Sequence, residues 1–216
     1  MKYIKPVNNY KDLFKSGRFT YINLYNYKII RKFIPHFDGV YFDGIGLLVI
    51  YNLLKRAGLK RYSPDNTSLI PHIVQNFNHF IICGGNQNEA DYFRDYLLVG
   101  KKCHLAISGY FSNEVLAEKV NDVISTLPEN ENCVVLLGLG SPKQEQLALK
   151  IEVKNNICVL PVGAYISQFY KKPEYFPKLI NKFHLRMPYR LVKENLWNRL
   201  PNYFISPILF VKDLLR

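Results

Sequence analysis

The chain reads as an α/β protein: a Rossmann-like, mainly parallel sheet with helices on both faces, followed by a basic amphipathic helical C-terminal appendage. Three observations predict this. A short apolar run ending in glycine recurs along the chain, each time followed by a segment of helical length and period. The runs show little apolar and polar alternation, as expected of strands covered on both faces. Near residue 170 the glycine-ended runs stop and basic residues dominate, so residues 1–170 are expected to form the α/β domain and 171–216 the appendage.

In chain order the pairs are "GVYFDGIG" (39–46) before "LLVIYNLLKRAG", then "HFIICGGN" (79–86) before "QNEADYFRDYLL". "KCHLAISGYF" (102–111) before "SNEVLAEKVNDVI" is weaker, "CVVLLGLGS" (133–141) before "PKQEQLALK" is strong, and "NICVLPVGA" (156–164) before "YISQFY" is weaker again. Two helix starts carry capping signals: Asn86 with Glu89 three residues on, and Ser141 with Pro142 next and Gln144 three on. Open parallel sheets bind ligands beyond the carboxyl ends of their strands, and every glycine-rich junction falls on that edge. Helix N-termini aimed at the same rim suit phosphate.

The appendage carries ten Lys or Arg against three acids (Glu174, Glu194 and Asp213), so +7 of the net +12 lies in the last 46 residues. It is also rich in large apolar groups, but Pro201 and Pro207 interrupt it and no run reaches the 18 or so apolar residues of a membrane-spanning helix. Such helices suit the headgroup boundary of an anionic membrane. The alternative is packing on the main domain or on another subunit, as in a homo-oligomer.

The charge of +12 favours an anionic partner, whether nucleic acid, nucleotide, phospholipid headgroup or diphosphate. The first twenty residues lack a continuous apolar core of signal-peptide length, so a cytoplasmic protein is expected. Cys83, Cys103, Cys133 and Cys158 lie far apart in apolar runs and read as small packed thiols. His36, His72, His79, His104 and His184 make no H-x-x-x-H pair and no Asp-x-Asp is present, so neither a metal site nor a cofactor is expected. Gly44 and Gly46 are followed by Val49, and Gly138 and Gly140 by Lys143, where a dinucleotide fingerprint needs a third glycine; the Walker sequence is absent. These gaps disfavour nicotinamide oxidoreductases and ordinary P-loop nucleotidases.

"FDGIG", the "GG" after a strand, "GYF", "GLGSPKQE" and "VGA", in that order and at those intervals, resemble the WecG/TagA/CpsF family of bacterial glycosyltransferases. The resemblance spans roughly residues 20 to 170 and continues in the tail with "YRL" (189–191) and Glu194. It implies inverting, metal-independent transfer of a sugar from a UDP-sugar to a polyprenyl-diphosphate-linked sugar at the inner face of the cytoplasmic membrane. The setting would be surface-polysaccharide or teichoic-acid-like biosynthesis by a peripheral enzyme.

By the resemblance Asp43 matches the catalytic base; read without it, Asp43 caps the following helix or its glycine turn. The implied substrate-binding residues are Asn23, Arg61, Gly84, Gly85, Gly109, Tyr110, Gly138, Gly140, Lys143, Gln144, Glu145, Gly163 and Arg190. With no metal motif, arginines and backbone amides would offset the charge on the departing UDP. Arg61 and Arg190 hold family positions, with Arg186 and Arg199 as further cations. Departures from the pattern are Tyr21 where threonine is usual, "NTSL" (66–69) where the family reads G-S-D-L, and Asn195 in place of a proline. The quoted motifs leave the donor sugar open. The competing reading is a non-catalytic nucleotide- or RNA-binding basic module, or a catalytically silent relative. No RNP, KH or zinc-finger signature supports nucleic acid.

Overall fold

The computed structural model describes residues 4–128, 131–154, 156–172, 175–183 and 185–215. Glu174, His184 and Arg216, counted above, lie outside the described residues. The elements run β1 (Gly17–Ile22), α1 (Tyr27–Ile30), β2 (Gly39–Phe42), α2 (Ile45–Lys55), α3 (Leu69–Asn76), β3 (His79–Gly84) and α4 (Gln87–Leu97). They continue with β4 (Lys102–Ile107), α5 (Asn113–Thr126), β5 (Cys133–Gly138), α6 (Lys143–Ala148), β6 (Ile157–Pro161) and α7 (Tyr165–Lys171). The tail adds α8 (Lys178–Lys182), α9 (Arg186–Lys193) and α10 (Leu200–Leu215).

The six strands form one all-parallel sheet in the order β2-β1-β6-β5-β3-β4. Its central strands lack alternation because both faces are dry. Phe80, Ile82, Val134, Leu136, Cys158 and Leu160 turn to one face, under α3, α4 and α7. Their neighbours Ile81, Cys83, Val135, Leu137, Ile157 and Val159 turn to the other, under α5 and α6. Each fully buried Val, Leu, Ile or Phe side chain among them stabilises the fold by about 1.5–3 kcal/mol.

Strand β1 carries no clear apolar run in the sequence, since Arg18 and Thr20 interrupt it, yet it sits inside the sheet. The Arg18 guanidinium donates to the carbonyls of Ala148 (3.1 Å) and Ile151 (2.8 Å), and the Thr20 hydroxyl lies 3.4 Å from Glu145 Oε1. Long-range partners from α6 and the turn after it let polar residues lie in an inner strand.

A third apolar cluster covers the β1–β2 end. Ile22, Val40 and Phe42 meet Ile30 of α1, Leu47 and Leu48 of α2, and Phe210 and Leu214 of α10. The last helix of the tail therefore packs on the core. Phe210 meets Tyr27 edge-on at 4.9 Å, and Asp213 accepts from Tyr27 Oη (2.7 Å) and Arg31 Nη2 (2.8 Å). Neither proline interrupts α10: Pro201 sits in its first turn, where no intrahelical N–H is needed, and Pro207 is carried within it. No helix among the described residues is long and apolar enough to cross a membrane.

Of the two capping signals one forms as expected. Asn86 Oδ1 accepts from the Glu89 N–H and Glu89 Oε2 from the Asn86 N–H, both at 2.9 Å. The Ser141 cap does not form. Helix α6 begins only at Lys143, and the Ser141 hydroxyl turns to the buried Glu145 carboxylate instead (3.0 Å).

Candidate active site

Connections leave β3 toward β4 on one side and β5 toward β6 on the other, so the β3/β5 boundary is a topological switch point, where parallel sheets open a crevice. Gly84 and Gly138 pair there. A Cβ on Gly84 would stand 2.7 Å from Gly138 Cα, and one on Gly109 would stand 3.0 Å from Gly84 Cα. The three turns touch backbone to backbone, which only glycine permits. Gly85, Gly140 and Gly163 have φ of 63°, 73° and 64°, the left-handed region that glycine enters freely.

Around these turns the side chains fix the rim. Lys143 Nζ donates to the carbonyls of Gly109 (2.8 Å) and Phe111 (2.6 Å), tying the loop after β4 to the start of α6. Tyr110 projects outward, 81% exposed. Gln144 and Glu145, expected to touch substrate, are instead fully buried beneath the rim. Gln144 Oε1 accepts from the Gly163 N–H (3.1 Å), while its Nε2 donates to Glu145 Oε1 (2.9 Å) and Tyr21 Oη (3.3 Å). Burial pushes the Glu145 carboxyl up, against hydrogen bonds from Gln144, Ser141 and Thr20, and its Oε2 has no partner among the described residues. Tyr21, where the family has threonine, lies along the same floor with its hydroxyl against Gly163.

The second part of the rim is the end of β2. The Asp43 N–H donates to the Ile22 carbonyl (3.0 Å), which extends the strand pairing by one residue, and Gly44 then turns at φ 104° into α2. The Asp43 side chain does not cap that helix; Gly44 occupies the cap with no side-chain bond. Its Oδ1 accepts from the Ser63 hydroxyl at 2.8 Å, and Oδ2 lies 3.5 Å from Asn23 Nδ2. Asn23 is aimed there because its Oδ1 takes the N–H groups of Tyr25 and Asn26, each at 2.9 Å.

Cations gather over the same end. Arg61 Nε donates to Ser63 Oγ (2.9 Å), so guanidinium, hydroxyl and Asp43 carboxylate form one relay. Burial and the nearby Arg186 both lower the Arg61 pKa, with Asp43 and Asp65 opposing them. Arg190 of α9 lies within electrostatic reach of Tyr21 and forms a fork with Glu194, with contacts of 2.8 to 3.1 Å. Burial works against its charge, but Glu194 outweighs burial and holds the proton more firmly than usual.

The structure thus brings Asp43, Asn23 and Arg61 together, sets Arg190 on the other side of Tyr21, and brings Gly84, Gly85, Gly109, Gly138 and Gly140 together at the switch point. Both groups lie on the carboxyl edge of one sheet. Three or four strand spacings separate Asp43, after β2, from Gly138 and Gly84 at the ends of β5 and β3, roughly 14–19 Å, so they form the two ends of an extended site. Ser63 was missed by sequence reading, because its role depends on a loop folding back onto β2. Among the described residues no group of three His, Cys, Asp or Glu side chains could hold a metal ion.

A strand-end carboxylate linked through a serine hydroxyl to an arginine lies on the same sheet edge as the glycine turns, an arrangement suited to an α/β group-transfer enzyme. The chain belongs to the glycosyl transferase WecG/TagA/CpsF family, whose profile it matches over residues 19–216. It is similar to the UDP-Gal:alpha-D-GlcNAc-diphosphoundecaprenol beta-1,4-galactosyltransferase of Shigella boydii, 28% identical over 190 residues that cover 82% of this chain and 77% of the relative. The protein is a glycosyltransferase.

Proposed function

We propose that the enzyme moves a hexosyl or N-acetylhexosaminyl residue from a UDP-sugar to a sugar carried on polyprenyl diphosphate, with inversion and without a bound metal. The observation that carries this reading is the Asp43 carboxylate, fixed by Ser63 on one oxygen, with the Arg61 guanidinium bonded to the same hydroxyl. An acceptor hydroxyl attacking the anomeric carbon opposite the departing UDP must lose its proton, and one base within hydrogen-bond reach suffices. Asp43 is that base. The departing diphosphate gathers negative charge, which preorganised guanidinium groups and backbone N–H donors offset. Arg61 and Arg190 supply the guanidinium groups.

The length of the rim suits a donor that is extended across the strand ends, with its nucleoside over the glycine turns and its diphosphate and sugar toward Arg61 and Asp43. A lipid-linked acceptor is supported by the Shigella relative, whose name specifies alpha-D-GlcNAc-diphosphoundecaprenol. Such an acceptor places the enzyme at the inner face of the cytoplasmic membrane. Exposed apolar residues of α2 and α10 flanked by lysines support that placement.

Asp43→Asn, assayed with a UDP-sugar and a synthetic sugar-diphospholipid, should lower kcat by about 100- to 10,000-fold, as expected for loss of a general base. UDP affinity, measured by calorimetry, should stay within twofold. Unchanged turnover would remove Asp43 from the role.

A further inference from the structure

A cavity of about 210 Å³ lies beside the Asp43 end of the rim, lined by Asp65, Asn66, Tyr165, Gln168, Lys172 and Arg186 among others. Drug-sized ligands occupy roughly 300–1,000 Å³, so this space fits one ring with its substituents. Its wall is shared between core and tail. Arg186 of α9 pairs with Asp65 and donates to Thr67 Oγ1 (2.8 Å), and its guanidinium lies 4.8 Å from the centre of the Phe176 ring. The Tyr165 hydroxyl donates to Asn66 Oδ1.

The lining combines aromatic faces with amides, a carboxylate and cations. Aromatic faces suit the C–H side of a sugar ring, and planar amide, carboxylate and guanidinium groups suit its hydroxyls. Gln168 and Lys172, one helical turn apart, have side chains that hold no hydrogen bond or ion pair among the described residues, which leaves an amide and an ammonium for a ligand. The cavity is also coupled to the proposed base. The Asp65 N–H donates to the Ser63 carbonyl (2.8 Å), Ser63 holds Asp43, and Arg61 feels Arg186, Asp43 and Asp65 together.

The geometry points to this cavity as the seat of the acceptor's sugar ring, with Lys172 at its exposed mouth facing the acceptor diphosphate. The assignment rests on the glycosyltransfer reading above and adds to it the residues that choose the acceptor. The tail then contributes to the site as one wall of the acceptor pocket. That wall is closed by Arg186 on Asp65.

The test uses the full chain and two probes: UDP, and an N-acetylglucosaminyl α-diphosphate ester of a short alkyl alcohol, with binding read by calorimetry. The double variant Gln168→Ala/Lys172→Ala should weaken the sugar-diphosphate ester roughly tenfold or more, the scale of lost hydrogen bonds to a charged group, and change UDP affinity less than twofold. Gln168→Trp, which fills the cavity, should abolish ester binding and spare UDP. Unchanged ester affinity in both variants, or a loss of UDP affinity with the ester spared, would overturn the assignment while leaving glycosyltransfer standing. A wild-type chain that binds neither probe would overturn both.

Discussion

At the residue scale the site depends on how one carboxylate is held. Ser63 is buried and stands between Arg61 and Asp43, accepting from one and donating to the other. If Asp43 is the base, Ser63 is a positioning residue. Ser63→Ala should lower kcat roughly tenfold, the scale of a hydrogen bond to a charged group, with both KM values little changed. If Ser63 acts only through Asp43, the Asp43→Asn/Ser63→Ala double variant should be no slower than Asp43→Asn alone. Full additivity in steady-state kinetics would show that Ser63 acts elsewhere.

Glu145 makes a prediction about stability. Its folded pKa is raised above the ordinary 4.5, mainly by burial. The folded state therefore binds the proton more tightly than the unfolded state. The sign follows: stability is greatest below about pH 4.5 with respect to this group, and falls as pH rises from there through the folded pKa. Glu145→Gln cannot ionise, so its stability relative to wild type should improve as pH rises from 4.5 toward neutrality. Urea unfolding at several pH values measures this. A constant difference between the two proteins would mean that Glu145 is ionised in the fold at little cost.

At the scale of elements, α10 shows how the tail joins the body. Phe210 is fully buried between Tyr27 and Phe42. Phe210→Ala should cost about 3–5 kcal/mol, the range for deleting a buried aromatic ring. Denaturant unfolding followed by far-ultraviolet circular dichroism would check it, and a loss below about 1 kcal/mol, the scale of a surface change, would mean that α10 is only loosely docked. Strands β2, β3, β5 and β6 were legible because they are buried almost throughout, which leaves an apolar run; β4, a partly exposed edge strand with Lys102 and His104 in it, gave a weaker signal. Strand β1 was not, because Arg18 and Thr20 depend on partners about 125 residues or more away in the chain. The Asn86 cap was legible because its bonds are local, and the Ser141 cap failed because a buried carboxylate four residues on competes for the hydroxyl. Asp43 was found through the resemblance. Its Ser63 partner and the seating of α10 depend on chain segments meeting in space, which no local pattern records.

At the scale of the whole molecule, several exposed cations stand beside exposed apolar groups. Helices α2 and α10 pack side by side over the same apolar cluster, with Leu47, Leu48, Phe210 and Leu214 turned inward. Their outer faces expose Ile45, Val49 and Leu53 at helical spacing on α2, and Phe204, Ile208 and Leu215 on α10. Lys28, Lys55, Arg56 and Lys212 stand exposed around them. Water gains nothing from such a surface, whereas a bilayer with anionic headgroups satisfies both parts, accepting the apolar stripe and attracting the cations. Helix α2 starts two residues after Asp43, so docking this face would hold the proposed base near the lipid that carries the acceptor. Both groups are exposed, so the double variant Val49→Glu/Ile208→Glu should fold as the wild type does and bind UDP equally. Its partition onto liposomes containing anionic phospholipid, read by co-sedimentation, should fall tenfold or more, on the order of the apolar area withdrawn plus the charge introduced. Wild-type binding should weaken as salt rises from 0.05 to 0.5 M, where screening shortens the reach of the lysines. Undiminished sedimentation of the double variant would assign membrane contact to another face and would leave the α2–α10 stripe without that role.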